Sequence, residues 1–283
     1  MIVHIPYRFR ISEGYPLPKA HQMLCQMIYQ LALRNNERAC IAGSHALQQV
    51  MSELGRTSFK SNDVDIFTSL YFNDENIKIL EHKFKQFCSD HLVMTHKLLE
   101  SRSGVDGMRQ IWNIEIFGLQ RTGNVSAVRS IYPPLQVIVL NNELPIELRP
   151  DDHSFAVSVV ERFDISVCKC VIPNLFRLDQ VVAMSRSDIV NWEMEYDMRK
   201  FKKTKIAWKR IVKYTDRGFK LCRLRFEDNN MIHMVDGTVD IVTRRNRSLT
   251  NDTMIHPLYG LIPNIDDVSI STDELSEDYE TAF

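Results

Sequence analysis

The sequence predicts an α+β protein in which helices and strands share one core. Segments with apolar residues three and four positions apart, the spacing of one helix face, alternate along the chain with short apolar segments typical of strands. Glycines and polar loops separate these segments and mark their ends. The chain has 283 residues, 44% hydrophobic and 25% charged, which suits a soluble globular protein with one large or two modest domains.

The first third of the chain alternates helix and strand patterns. Leu47, Val50, Met51 and Leu54 mark one face of a helix that begins at Ser44 and stops at Gly55. The complete set of elements predicted in this region is a helix over 18–36, a strand over 38–42, a helix over 44–54, a strand over 63–68 and a helix over 74–88.

Further along, apolar alternation over 109–117 and a uniformly apolar segment over 135–140 predict two strands. Asp151 or Asp152 is expected to cap a short helix that runs to Glu161. The remaining predictions are a strand over 162–169, a helix that begins near Ser185 or Ser187 and continues to Met194, and a helix over 204–217.

The most informative segment is the Gly43-Ser44 turn together with Asp63 and Asp65. A strand leads into Gly43, and the helix that begins at Ser44 would offer backbone N–H groups and the positive end of its dipole to an anion. Asp63 and Asp65 project from the same face of their strand because residues two apart point the same way. Two adjacent carboxylates repel each other unless a cation neutralises them, and Mg²⁺ prefers oxygen ligands. This combination predicts a site for a triphosphate and a divalent metal.

Asp164 is the candidate for a third acid. It lies near the start of the predicted strand 162–169, where aspartate is unfavourable by propensity. A metal shared with Asp63 and Asp65 would explain its presence. Each feature alone is weak: Gly-Ser is commonly a plain strand-to-helix turn, and the aspartates could be solvated strand ends.

The ordered motifs Ala-Gly-Ser (42–44), Asp-Val-Asp-Ile (63–66) and Phe-Asp-Ile (163–165) resemble those of the DNA polymerase β-like nucleotidyltransferase superfamily. The longer segments 61–67, 162–169 and 209–220 resemble stand-alone nucleotidyltransferase-like proteins of viruses and phages. The resemblance covers residues 38–220 and implies a mixed sheet flanked by helices. It does not identify the acceptor.

The resemblance implies transfer of a nucleoside monophosphate from an NTP, with ATP expected, to a hydroxyl of an RNA 3′ end, a protein or a small molecule. Asp63, Asp65 and Asp164 would be the catalytic, metal-binding acids for Mg²⁺ or Mn²⁺. Gly43 and Ser44 would bind the phosphates, and Lys209 and Lys213 would assist in binding the nucleotide. The alternative is a nucleotide- or nucleic-acid-binding accessory or structural protein, one of viral origin included, with weak or no turnover.

A basic segment follows the candidate site. Residues 199–225 contain twelve Lys or Arg and one acid, and Lys205, Lys209 and Lys213 form a stripe along the predicted helix. The stripe would contact triphosphate or RNA, or would be a solvated face. His45 is expected to face solvent in the first helical turn, with phosphate contact as the other reading.

We expect three parts: a nucleotidyltransferase catalytic domain over 1–175, a helical basic lobe over 176–235 and a C-terminal extension over 236–283 with an acidic, disordered tail. The sequence has no P-loop motif, no zinc-ligand spacing and no apolar segment long enough to span a membrane, so a membrane partner is not expected. The cysteines are expected to be reduced structural thiols. Without a signal-peptide pattern, we expect a cytoplasmic location, in the host cytoplasm if the protein is viral.

Overall fold

The computed structural model describes residues 7–11, 17–56, 59–88, 91–101, 108–122, 125–140, 152–199, 204–225, 231–235 and 238–242. The chain divides into two compact units, Met1–Asn191 and Trp192–Ala282. The acidic tail lies outside the described residues. The predicted boundaries at 175 and 235 stay predictions. In the part of the chain that is described, no helix has the length and apolar character needed to cross a membrane.

The first unit contains an eight-stranded sheet with the order β1-β8-β7-β2-β3-β6-β5-β4. The strands are β1 (Tyr7–Arg10), β2 (Ala39–Ala42), β3 (Val64–Thr68), β4 (Leu92–Ser101), β5 (Met108–Thr122), β6 (Val125–Leu140), β7 (Cys170–Ile172) and β8 (Gln180–Ala183). The helices are α1 (Lys19–Arg34), α2 (Ser44–Glu53), α3 (Asp74–Phe87), α4 (Asp152–Glu161) and α5 (Arg186–Asn191). β3 and β6 are parallel and the other neighbours are antiparallel. The prediction of an α+β fold with a mixed sheet flanked by helices is confirmed.

The centre of this sheet positions the candidate site. Every residue of β2 is buried, and α2 covers it with Leu47, Val50 and Met51, the face that the apolar spacing predicted. Ala42, the last residue of β2, is paired with Asp65 on one side and with Val171 on the other. The turn after Ala42 therefore lies at the edge where β3 and β7 meet β2.

The described residues of the second unit form a four-stranded sheet with the order β12-β11-β10-β9 and one helix. Its elements are β9 (Glu193–Asp197), α6 (Thr204–Asp216), β10 (Lys220–Arg225), β11 (Met231–Val235) and β12 (Thr238–Val242). Met194 and Tyr196 of β9 are fully buried, as is Phe219, which follows α6. The basic lobe predicted as helical thus contains strands as well as helices.

The helix predicted to continue to Met194 ends earlier. α5 stops at Asn191, Trp192 adopts a positive φ of 59°, and Met194 belongs to β9. A bulky residue at positive φ interrupts a right-handed helix, so the apolar residues beyond it are free to follow strand alternation. The Trp192 carbonyl accepts a 2.7 Å hydrogen bond from the Lys220 N–H, which begins the pairing with β10.

Candidate functional site

Gly43 forms a tight turn between β2 and α2. Its backbone has φ 84° and ψ −140°, a conformation that side chains other than hydrogen disfavour. The Gly43 N–H donates to the Cys170 carbonyl at 3.0 Å, and the Gly43 carbonyl accepts the first helical hydrogen bond, from the Leu47 N–H at 3.0 Å. The turn is thus fixed to β7 at one end and to α2 at the other.

Asp65 lies directly against this turn. A Cβ added at Gly43 would lie 3.6 Å from Oδ2 of Asp65 and 3.6 Å from Cε2 of Phe163. Val64 and Ile66, on either side of Asp65, are fully buried, so Asp65 points to the face opposite theirs, as the alternation predicts. The structure therefore brings the Asp65 carboxylate close to Gly43, the residue that precedes α2.

Asp63 precedes β3 and is buried, with 7% of its surface exposed. Its backbone carbonyl accepts a hydrogen bond from Oγ of Ser61 at 2.7 Å. The same Ser61 hydroxyl lies 2.8 Å from Oγ of Ser44, and the Ser61 N–H donates to Oε1 of Gln48 at 2.8 Å. The loop before Asp63 is thus held by two side chains of α2.

The segment that contains Asp164 is not a strand, so the prediction of a strand over 162–169 is wrong. Asp164 lies in a bend, and Ser166–Cys168 form one 3₁₀ turn closed by hydrogen bonds from the N–H groups of Cys168 and Lys169. The strand begins later, at Cys170. Every residue from Phe163 to Cys168 is buried, so the apolar alternation that indicated a strand did not separate a core face from a solvent face.

Phe163, the residue before Asp164, packs against the Gly43 turn. The Phe163 ring stacks at a tilt on Phe67 of β3, with 5.6 Å between ring centroids, and its edge faces Gly43. Asp164 itself is only 4% exposed. Two of the three candidate acids, Asp63 and Asp164, are therefore buried, and Asp65 is half-buried and more exposed than either.

The three acids are not a ready-made protein cage for a metal. Among the residues that the structure describes, which include all three, no group of three or more His, Cys, Asp or Glu side chains is arranged to hold a metal ion. Mg²⁺ commonly binds through one or two carboxylates together with substrate phosphates and water, and needs no such cage. The carboxylate oxygens of Asp63 and Asp65 are chemically suited to binding Mg²⁺ in this way.

His45 is buried, contrary to the expectation that it faces solvent. Only 3% of its surface is exposed, and Nε2 of Gln49 donates to Nε2 of His45 at 3.4 Å. Burial, with a smaller contribution from His21, lowers the pKa of His45 to about 3. The imidazole is therefore neutral at neutral pH and offers no positive charge to a phosphate.

Lys209 and Lys213 lie on α6 in the second unit, and both side chains are half-buried. The side chain of Lys205, also on α6, lies outside the described residues. Tyr214 is buried beneath the Arg217 guanidinium, whose carbon lies 4.8 Å from the ring centroid. Tyr214 therefore packs within the second unit.

Acids of β9 engage part of the basic segment. Arg199 binds Asp197 through two nitrogens at 2.6 and 2.7 Å, and Arg225 binds Glu195 at 2.6 Å. Arg223 lies 3.6 Å from the same glutamate. These arginines neutralise neighbouring acids, so the positive charge of segment 199–225 is smaller at its surface than its composition suggests.

Four of the six cysteines, Cys25, Cys40, Cys168 and Cys170, are buried. None of the six, all at described positions, forms a disulfide. Burial raises the pKa of Cys25 to about 12, and it also raises the pKa of Cys40 and Cys170. These groups are therefore protonated, unreactive thiols at neutral pH.

No protein-family model and no curated protein sequence matches the chain. Several solved structures are similar at low identity. A Thermotoga maritima CCA-adding enzyme in complex with tRNA is 12% identical with a TM-score of 0.44, over 76% of this chain and 42% of that chain. A CCA-adding enzyme with ATP is 13% identical with a TM-score of 0.43, over 76% of this chain and 42% of that chain. An apo tRNA-processing enzyme is 14% identical with a TM-score of 0.42, over 72% of this chain and 44% of that chain. The chain thus spans less than half the length of these proteins.

Sequence reasoning predicted Gly43, Ser44 and the three acids as site residues but did not single out Ser61 or Gln48, whose hydrogen bonds hold the loop before Asp63. A serine in a polar loop has no distinctive local pattern. The available signal was that Ser44 and Gln48 are four residues apart and so share one face of α2.

Proposed function

We propose that this chain is a nucleotidyltransferase that moves a nucleoside monophosphate from an NTP, with ATP expected, to a hydroxyl of an RNA, a protein or a small molecule. The observation that supports it most is the position of Asp65, whose carboxylate oxygen lies 3.6 Å from where a Gly43 Cβ would be. The N-terminus of a helix, which favours an anion, and a carboxylate suited to a cation are adjacent, as a metal–triphosphate complex requires.

The phosphates would be bound by backbone N–H groups of the first turn of α2. Gly43 offers no side chain to cap this helix, and the missing Cβ lets a phosphate approach the backbone. Neutral His45 contributes no charge there, and the helix dipole and the N–H groups supply positive potential to this turn. Lys209 and Lys213 remain proposed contributors to nucleotide binding.

Asp63 and Asp65 would hold Mg²⁺ or Mn²⁺, and Asp164 would complete the set of metal-binding and catalytic acids. When bound, the cation neutralises charge on the transferring phosphoryl group and on the leaving pyrophosphate. The acceptor hydroxyl oxygen bonds to the α-phosphorus as the bond to the bridging oxygen breaks. Asp164, a buried carboxylate, accepts the hydroxyl proton.

The experiment is incubation of the protein with each α-labelled NTP, Mg²⁺ or Mn²⁺, and total RNA or cell lysate. Label should move to an acceptor with the wild-type protein and not with Asp65→Asn. Exposed Asp74→Asn at the start of α3 is the matched control and should retain transfer. Failure of every NTP to label any acceptor, with folded protein and either metal, contradicts the proposal.

One observation favours the second candidate, a nucleotide- or nucleic-acid-binding protein with weak or no turnover. The three acids, all described, are not arranged as a group able to hold a metal ion. Under this alternative, the protein binds NTP or RNA in the same assay without moving label. The resemblance to stand-alone viral and phage proteins is compatible with either function and remains a proposal.

A further inference from the structure

Ser61 is the centre of a buried chain of hydrogen bonds between α2 and the first candidate acid. Its hydroxyl connects Oγ of Ser44, at 2.8 Å, with the backbone carbonyl of Asp63, at 2.7 Å. The exposed fractions of Ser44, Ser61 and Asp63 are 6%, 2% and 7%. Because water has little access to these groups, the protein must satisfy their hydrogen bonds itself.

The direction of donation along these hydrogen bonds follows from counting protons. A hydroxyl carries one hydrogen, and a carbonyl oxygen only accepts. Since Ser61 donates to the Asp63 carbonyl, the bond between the two serines must be donated by Ser44. The sequence of donation is therefore Ser44 to Ser61 to the Asp63 carbonyl.

This direction limits what the Ser44 hydroxyl does for a phosphate. The oxygens of an ionised triphosphate are acceptors, so a hydroxyl binds them by donating its proton. The Ser44 proton is already donated to Ser61. At this turn, the backbone N–H groups remain the donors for a phosphate, and the Ser44 side chain serves the loop that precedes Asp63.

A second contact fixes the same loop from the same helix. Gln48 lies one turn after Ser44 on α2, and its Oε1 accepts a 2.8 Å hydrogen bond from the Ser61 N–H. Ser61 is thus held through both its backbone and its side chain. Asp65, two residues beyond Asp63, is in turn paired with Ala42, immediately before Gly43. The acid pair is therefore tied at both ends to the elements that form the turn.

We propose that Ser44 and Ser61 are positioning residues that orient the Asp63 carboxylate for a divalent cation beside the N-terminus of α2. The identity of the ligand rests on the proposed function. The hydrogen bonds from Ser44 to Ser61 and from Ser61 to the Asp63 carbonyl, here called the relay, fix the backbone at Asp63. Loss of the relay therefore displaces the Asp63 carboxylate relative to Asp65 without removing either acid. Asp63 and Asp65 then bind a cation less tightly, because its coordination depends on both carboxylates at once.

The test is Mn²⁺ binding in the presence of a non-hydrolysable ATP analogue, measured by electron paramagnetic resonance. Ser44→Ala and Ser61→Ala should each weaken Mn²⁺ binding by about tenfold, the equivalent of one buried hydrogen bond. The double variant should be no worse than either single variant, because both interrupt the same chain. Ser52→Ala, which removes an exposed hydroxyl from the same helix, should leave the affinity unchanged.

Amide hydrogen exchange gives a second readout that requires no ligand. Exchange at Asp63 and Val64 should be faster in Ser44→Ala and Ser61→Ala than in the wild type and the Ser52→Ala control. Ser61→Thr, which keeps the hydroxyl, should restore slow exchange and Mn²⁺ affinity together. Thermal melting establishes that each variant is folded.

The outcomes separate this proposal from the proposed function. Wild-type Mn²⁺ affinity in both serine variants overturns the relay and leaves the proposed function intact. A loss of analogue affinity in Ser44→Ala that Ser61→Ala does not share also overturns it, because Ser44 would then be a direct phosphate ligand. Wild-type protein that binds Mn²⁺ and analogue but transfers no label overturns only the proposed function. Wild-type protein that binds no Mn²⁺ overturns both.

Discussion

Replacement of Gly43 by Ala tests the geometry of the turn on which the site depends. Gly43 has φ 84° and ψ −140°, close to a region that only glycine populates readily. The added Cβ would make ordinary van der Waals contacts, 3.6 Å from the Asp65 carboxylate and from the Phe163 ring. The penalty therefore comes from the backbone and amounts to about 1–3 kcal/mol of unfolding free energy.

For a unit of this size, that penalty lowers the melting temperature by about 2–12 °C. Calorimetry and urea denaturation measure it, and the Mn²⁺ assay reports the effect on the site. The matched control is Gly55→Asn, because Gly55 also has a positive φ, 69°, but nothing lies within 4 Å of its Cβ position. Asn adopts this conformation more readily than other side chains, so the control should be milder.

If Gly43→Ala were as stable as the wild type, the prediction that this turn disfavours a side chain would be wrong. Loss of stability equal to that of Gly55→Asn, with unchanged cation binding, would mean that the turn is an ordinary connection. If the backbone relaxes to remove the strain, the Gly43 N–H moves away from the Cys170 carbonyl, and faster exchange of that amide would report it.

Three further predictions follow from the site and the basic segment. Asp63→Asn or Asp65→Asn should abolish transfer but leave the melting temperature unchanged or higher, because one of two crowded carboxylates loses its charge; the labelled-NTP assay and calorimetry check this. If Lys209 and Lys213 contact single-stranded RNA, replacing both by Ala should reduce the slope of log affinity against log salt by about 1.4 in filter binding. His45 has a pKa lowered from 6.5 to about 3, so stability should be full above pH 6.5 and fall towards pH 3 as the unfolded chain takes up the proton. Urea titrations at pH 7 and 5 should show a smaller change in His45→Gln.

Local patterns were sufficient for the elements that form the turn. α2 and β3 were predictable because their apolar residues follow helix and strand spacing, and Gly43 and Gly55 both have the positive φ that glycine accommodates. The adjacency of Asp65 to Gly43 follows from antiparallel pairing of β2 with β3, which the sequence alone does not state.

The second sheet was not predictable because its stabilising contacts are distant in sequence. The alternation of Glu193, Glu195 and Asp197 with apolar residues has the period of a strand, yet Trp192 and Met194 also fit an extension of α5. The arginines that neutralise Glu195 lie on β10, beyond α6. Without that pairing, acids on a half-buried strand are unfavourable by propensity.

The hydrogen bonds of Ser61 could not be predicted from the sequence for a related reason. Its partners Ser44 and Gln48 precede it by 17 and 13 residues, and the contacts exist only after α2 packs beside the loop. Asp164 illustrates the opposite error, since an alternating apolar pattern indicated a strand where the chain is buried on every side.

The central claim is that a triphosphate and a divalent cation meet between the turn at Gly43 and the carboxylate of Asp65. Isothermal titration with a non-hydrolysable ATP analogue tests it most directly, with and without Mg²⁺, in the wild type and in Asp65→Asn. We predict that binding by the wild type requires Mg²⁺ and that Asp65→Asn weakens it by about tenfold or more, the loss of one charge-assisted ligand. Affinity that is equal with and without Mg²⁺, or unchanged in Asp65→Asn, would contradict the claim.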